Sequence, residues 1–437
     1  MECGRLRRLW LIPAGLVILP AVLWVLIVVA APTSWARNRF ALGIERATGR
    51  TARLDRLSVC FFGGLRLSNL EIGAPGTLDD PWLRAREVSL DLSPLSVLGG
   101  SSRLKNLEVY DATLRILRRK DGSFELSDLV RPTDSTQDFK KAGSDCCALG
   151  TCLSGAHRLR IGIHGTLIHV VDLVNATNYE VHGVEGEAIL EGKSGGSFAV
   201  DGVLNGGAVQ LSGQFDRTLK EPSFDIEVEA TDVTLTNGMG GLRYLIPALA
   251  GEKVQVEGKL AGHASLQARG SEAATLRKSL RGRGSLCLAP VRLQGSSFLD
   301  AISKFAEVAP SKVSQSMSSQ FRIADQRITT NSSTIQLGPI PVKLKGWTDF
   351  DGNLEYKFNL EAMTSRIPEK ALRLLREIDI EVDKMGDLEL SGTLDRLVVR
   401  LDGEPLKPLN PGESSRVGDD RDRLRELGRR VLERVVR

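Results

Sequence analysis

A hydrophobic period of two residues, recurring for about 300 residues, constrains this chain more than any other feature of its sequence. Val88, Leu90 and Leu92 alternate with polar neighbours in "REVSLDLSPLSVL", the period of a strand with one wet and one dry face. The same alternation returns in "RLRIGIHGTLIHVVDL", "FDIEVEATDVTLTN" and "VQVEGKLAGHASLQARG", and continues to about residue 402. Helical spacing is confined to short stretches: "SWARNRFALGIERATGR" with Phe40, Ile44 and Ala47, then 238–251, "EAATLRKSL" and 296–318. The expected fold is therefore mainly β, an antiparallel-rich sheet with a few short helices. Such a sheet must bury its apolar face by closing on itself, by pairing with a second sheet, or by sheltering something apolar.

Two hairpins can be registered from pattern alone. A three-residue loop at Asp121, Gly122 and Ser123 puts Leu114 and Ile116 on one face with Phe124 and Leu126. A three-residue loop at Asp351, Gly352 and Asn353 puts Val342 and Leu344 on one face with Leu354, Tyr356, Phe358 and Leu360. A two-residue loop would split both apolar sets, so hydrophobic register favours three residues with a glycine-assisted bulge.

Residues 9–31, "LWLIPAGLVILPAVLWVLIVVAA", carry no charge over 23 positions, enough to cross a hydrocarbon core of about 30 Å as a helix. Trp10 and Trp35 are placed as interface anchors, and membrane helices tolerate prolines such as Pro13 and Pro20. The competing reading, a cleaved signal peptide, has an apolar core of only about 7 to 15 residues. Arg5, Arg7 and Arg8 on one side are balanced by Arg37, Arg39, Arg46 and Arg50 on the other, so charge does not set the orientation. At the other end, "DDRDRLRELGRRVLERVVR" places Leu424, Leu427, Val431 and Val435 on one helical stripe among seven arginines. That stripe suits a membrane-surface or partner helix, or a solvated helix lying on its own sheet.

Recognisable chemistry is absent from the sequence. A net charge of +4 without a basic stripe interleaved with aromatics argues against nucleic acid. Three of the six cysteines, Cys146, Cys147 and Cys152, crowd one stretch without the paired C-x2-C spacing of zinc sites; they read as loop thiols or as one local disulfide. His157, His164, His169 and His182 are close in sequence but lack metal-binding spacing. On a regular strand His164 and His169 point to opposite faces. "GEAILEGKSGG" lacks the first glycine of a phosphate loop, and "DFDGN" lacks the further ligands of a calcium loop and reads as a turn. No catalytic, cofactor or metal residues are assigned, and the chain reads as a non-enzyme.

Composition shifts divide the chain into a stub and transmembrane anchor (1–35), a β module (36–130), a cysteine-bearing linker (131–155), a second β module (156–405) and a linker with a basic amphipathic helix (406–437). The anchor followed by "IERATGRTARLDRLSVCFFGGLRLSNLEIGAP", "DPWLRAREVSLDLSPLSVL" and "LKNLEVYDATLRILRRKDGSFELSDL" resembles the AsmA family of bacterial envelope proteins. The match rests on a G-L-x-L-x-N-L motif (Gly64 to Leu70), a strand ending in a Leu-rich step (Val88 to Leu98), and a strand pair closed by a D-G turn and a terminal Asp-Leu. "VEGKLAGHASLQARG", "LRGRGSLCLAPVRLQGSSFLDAISKF" and "LSGTLDRLVVRLDG" are similar to that family's C-terminal module. A departure falls at Ala289-Pro290, where the family more often has a turn ending in glycine.

The resemblance extends to TamB-like and bridge-like lipid transfer proteins, and it implies an elongated, curled β-groove whose inner wall holds acyl chains. It further implies a single-pass inner-membrane protein with its bulk in the periplasm, serving outer-membrane biogenesis or lipid transport between membranes. On that reading the groove lining includes Val88, Leu90, Leu92, Leu114, Ile116, Phe124, Leu126, Val342, Leu344, Leu354, Tyr356, Phe358 and Leu360. The partners are membrane lipids and other envelope proteins. Without the resemblance, a β-sandwich scaffold that binds envelope proteins and carries no lipid accounts for the same faces. An enzyme with an unrecognised site is the third reading.

Overall fold

A computed structural model describes residues 33–59, 64–74, 76–92, 104–121, 124–125, 158–174, 177–192, 194–219, 221–235, 240–246, 249–250, 254–294, 315–337, 340–359, 388–401 and 404–405. The protein is mainly β, with large, mostly antiparallel sheet and few helices. It divides into two compact units, Met1–Val233 with Gln267–Ser271, and Thr234–Leu266 with Glu272–Arg437. The segment 9–31 expected to cross a membrane, the expected linker 131–155 and the tail 406–437 lie outside the described residues. Within those residues no helix is long and apolar enough to cross a membrane.

The first unit begins with α1 (Ser34–Thr48). Thr33 caps it, its hydroxyl accepting from Ala36 N at 3.3 Å, and Gly49 ends it at φ 68° with its N–H donated to Glu45 O at 2.7 Å. The helix lays Phe40 and Ile44, the spacing seen in sequence, on the first strands. These are β1 (Ala52–Arg53), β2 (Arg56–Val59), β3 (Gly64–Ile72) and β4 (Leu83–Leu92). Leu57, Leu67, Leu70, Val88 and Leu90 are buried in the core so formed.

The sheet continues through β5 (Leu104–Arg118), β6 (Leu159–Asp172), β7 (Thr177–Glu191), β8 (Gly195–Leu204), β9 (Gly207–Asp216) and β10 (Ser223–Thr234). Neighbours pair antiparallel except β5 and β6, which run parallel. A parallel partner needs a connection of a dozen residues or more, and residues 119–158 supply it. The strands on either side of the expected 131–155 linker are neighbours in one sheet, and the compact units divide at Val233.

Five adjacent strands, β3 to β7, change phase along one line. Leu65 and Leu67 share a face with Leu70 and Ile72, because Asn69 between them takes a left-handed conformation at φ 52°. Asn69 is the asparagine of the G-L-x-L-x-N-L motif, so the motif's last leucine rejoins the dry face by this slip. Asp111 (φ 48°) does the same in β5, Gly165 (φ 60°) in β6 and Gly183 (φ 56°) in β7. Short polar side chains and glycine tolerate that region at small cost. One expectation is overturned here: His164 and His169 lie on the same polar face, since the bulge at Gly165 adds one residue between them.

The first expected hairpin also differs. Arg118 bridges Phe124 and Glu125 N donates to Leu117 O at 2.8 Å, closing a five-residue loop at 119–123. The long ladder of β5 is instead with β6, pairing Leu114 with Ile168 and Ile116 with Val170. β4 already pairs with Leu104 to Leu114 on the edge the return would use, so the return reaches only the end of β5, and β6 takes the other edge.

In the second unit β12 (Arg281–Gln294), β13 (Gln315–Ala324), β14 (Arg327–Leu337), β15 (Ile340–Asp349), β16 (Asn353–Asn359), β17 (Leu388–Thr393), β18 (Leu397–Leu401) and β19 (Glu404–Pro405) form an antiparallel succession. β11 (Gln255–Arg269) lies beside β12, with His263 Nδ1 3.1 Å from Ser285 Oγ. A 3-10 turn (Gly240–Tyr244) and α2 (Ala273–Ser279) match two of the expected helical stretches. Of the helix expected over 296–318, residues 315–318 belong to β13, and the rest lies outside the described residues. Ala289-Pro290 is a cis peptide at the register shift in β12.

The β15–β16 turn corrects the second loop. Thr348 pairs with Leu354, so the loop is Asp349–Asn353 rather than three residues. Asp349 Oδ1 accepts from Asp351 N at 3.0 Å and Asn353 N at 2.8 Å, and these side-chain bonds hold the wider turn. The shift is even, so the expected face survives: Leu344 lies opposite Phe358, and Val342, Leu354 and Tyr356 share that side.

Candidate functional site

The apolar face of the first unit is continuous but unevenly covered. Near α1 it is sealed: Leu67, Leu70, Ala85, Val88 and Leu90 are each at most 5% exposed. Among the described residues α1 makes its main contacts with β1 and β2, and over β7–β10 the same face is mostly half-buried, apart from Val184 and Val233 at 1% exposed each. Register fixes its lining. Ala188 lies opposite Phe198, Phe198 opposite Gly213, and Gly213 opposite Ile226. One step along, Gly186, Val200, Leu211 and Val228 form the next row. At the far end Phe215 and Phe224 stack at 6.4 Å. Leu211 is 40% exposed at the centre of the patch.

Glycines make this floor smooth. A Cβ on Gly213 would come within 2.9 Å of the Phe198 ring, and one on Gly196 within 3.0 Å of the Phe215 ring. Each phenylalanine thus lies over a glycine on the neighbouring strand rather than standing upright. The result is a shallow, aromatic-lined surface without polar groups on its face, suited to flexible hydrocarbon and offering no hydrogen-bond code.

The opposite face of β7–β10 is acidic: Glu185, Glu187, Asp201, Asp225, Glu227 and Glu229 project there. Arg160 Nη2 meets Glu187 at 2.8 Å, and His164 joins Glu108 and Glu185 at 3.0 Å each. Among the described residues no group of three or more His, Cys, Asp or Glu is placed to hold a metal ion. A depression at the ends of β8–β10 contains Glu191, Ser197, Asp216, Thr218 and Asp225 but no paired nucleophile and base. Asp216 accepts from Thr218 Oγ1 at 2.6 Å and from its N–H at 2.7 Å, bonds that hold its carboxyl below the usual range. That arrangement closes a turn.

The residues expected from sequence to line a groove fall into three environments. Val88 and Leu90 are sealed under the N-terminal core, and Leu114 and Ile116 are half-buried. Phe124 is 48% exposed beside its single bridge. Val342, Leu344, Leu354, Tyr356 and Phe358 are at most 2% exposed within one packed cluster. There Ile246, Leu249 and Ala250 join them, and the Tyr356 hydroxyl sits 3.0 Å from Thr348 Oγ1 and 3.3 Å from Thr330 Oγ1. Burial pushes the Tyr356 phenol upward from its ordinary value. Leu126, Leu360 and the side chain of Leu92 lie outside the described residues.

The open patch on β7–β10 was missed in sequence. Its signal is present: Phe198 and Val200, Val209 and Leu211, Ile226 and Val228 each alternate with polar residues. What sequence lacks is any sign that α1 stops short of them. No family model matches this chain, and no curated protein matches it.

Proposed function

We propose that the chain is an AsmA-like, membrane-anchored carrier of lipid acyl chains that works outside the cytoplasm in envelope biogenesis or inter-membrane lipid transport. On this proposal the segment 9–31 is the anchor, the apolar face of the sheet is the wall against which acyl chains lie, and the chain performs no catalysis. The single observation carrying the reading is the half-uncovered apolar face of β7–β10, with Leu211 40% exposed at its centre.

Magnitudes favour transit over storage. Four strands, β7 to β10, span about 19 Å at ~4.8 Å each, close to the reach of one extended acyl chain. At ~0.8 kcal/mol per buried methylene, a chain of about 14 methylenes covered on one side gains on the order of 5 kcal/mol. That holds a chain in passage, whereas a permanent ligand needs enclosure on both sides. The scaffold reading finds its support in the second unit, where the expected groove residues Val342 to Phe358 pack into a closed cluster.

Extraction of the detergent-purified full chain, followed by mass spectrometry, is expected to recover lipid in proportion to protein. Leu211→Asp is expected to lower that yield several-fold while melting within a few degrees of the parent, because the new carboxylate remains in contact with solvent. A parent protein free of lipid would leave the scaffold as the better account. Orientation is tested separately. A reporter active only outside the cytoplasm, fused after Arg437, is expected to be active, and activity from a cytoplasmic reporter instead would overturn the topology.

A further inference from the structure

We propose that His164 is a pH-operated latch across β5, β6 and β7, closed when its imidazole carries both protons and opened on the β7 side when one leaves. The ring lies on the polar face, beside the bulge at Gly165. Its Nε2 is 3.0 Å from Glu108 Oε2 of β5, and its Nδ1 is 3.0 Å from Glu185 Oε2 of β7. Tyr110 stacks against the ring at 4.7 Å. Both nitrogens therefore face carboxylate oxygens, which accept and cannot donate. An imidazolium satisfies both contacts. A neutral ring has one N–H, so its other nitrogen sets a lone pair against a carboxylate at 3.0 Å, and that contact must part.

The side that parts follows from surroundings. Glu108 is the more enclosed acid, 26% exposed against 57% for Glu185, and it is the largest influence raising the His164 pKa above the ordinary 6.5. Partial burial pulls the other way, and Glu185 adds to the rise. The proton on Nε2 thus stays with Glu108, and Glu185 is released. Glu185 Oε1 also accepts from Gly165 N at 2.8 Å, so its departure frees the amide that holds the bulge.

Other charged groups share this face. On the β5 side Asp111 meets Arg86 of β4 at 3.1 Å, and on β7 Glu187 meets Arg160 at 2.8 Å. His169 and His182 lie nearer Glu180, at 3.9 and 3.4 Å, and Asp201 of β8 pairs across from Glu185. A folded-state pKa raised above the unfolded value gives stability that is fully present below pH 6.5 and is lost as pH rises through the raised value.

The test uses the full chain in detergent with its histidines labelled with nitrogen-15, His164→Gln identifying the His164 signal. The expected midpoint lies above 6.5 and falls in Glu108→Gln and in Glu185→Gln, both of which keep an exposed or half-exposed amide in place of the acid. Hydrogen exchange over residues 159–172 is expected to accelerate several-fold beyond the intrinsic pH effect above that midpoint, and His164→Gln is expected to remove the excess. A midpoint at or below 6.5, or an excess that persists in His164→Gln, would overturn the latch. Neither readout requires bound lipid.

Discussion

Phe358→Asp is expected to abolish the folded C-terminal unit. Phe358 is 2% exposed and faces Leu344, itself 1% exposed, on the neighbouring strand. Removing the ring from such a site costs about 3–5 kcal/mol in lost burial and cavity. An uncompensated carboxylate there costs several kcal/mol more, or is forced to stay protonated. Their sum rivals the whole stability of an ordinary domain, about 5–15 kcal/mol. Limited proteolysis should find residues 315–337 and 340–359 newly sensitive, and circular dichroism should lose strand signal. A variant that melts near the parent temperature would mean that this face opens to solvent or lipid, and the acyl-chain surface would then extend into the second unit. The same charge at Leu211, where solvent reaches the side chain, is expected to leave the fold intact.

Gly346→Val is expected to part the β15–β16 ladder. Gly346 lies directly opposite Tyr356, whose ring covers it. A Cβ at this position would overlap the Glu355 carbonyl oxygen and lie 2.6 Å from Tyr356 Cα, so backbone rather than a flexible side chain must move. Overpacking of a core typically costs about 1–3 kcal/mol, and a clash with two backbone groups belongs at or above the upper end. The displacement also draws the Tyr356 hydroxyl away from Thr330 and Thr348, leaving buried hydroxyls without a partner. Thermal unfolding is the measurement. Gly241→Ala, where a Cβ meets nothing within 4 Å, is the control expected to stay near the parent. A small shift for Gly346→Val would show that the two strands separate more easily than their packing implies.

Strand alternation determined the class of this fold, and hydrophobic parity determined which residues share a face. Both follow from local geometry, since successive strand side chains point to opposite sides whatever lies beyond them. The Val342, Leu344, Leu354, Tyr356 and Phe358 face was legible for that reason, even though Asp349 widens the loop and shifts the register by two. The N-terminal helix was legible as well, because Phe40, Ile44 and Gly49 carry its spacing and its stop.

Phase slips were harder to read. A left-handed residue at Asn69, Asp111 or Gly165 rejoins the dry face one position late, and the sequence marks it only as one short or flexible residue among many. His164 and His169 share a face through such a slip, which brings His164 between two glutamates 56 and 21 residues away. The choice of partner for β5 lay wholly in tertiary structure. Its turn to Phe124 meets an edge that β4 already occupies up to Leu114, and the other edge goes to a parallel strand beyond a long connection, a partner that no local pattern names. Coverage was decided there too. Leu67 and Leu211 belong to the same kind of alternating strand, yet one is sealed by a helix and the other is not. Burial depends on what lies above a face, and the period of the strand beneath carries no record of it.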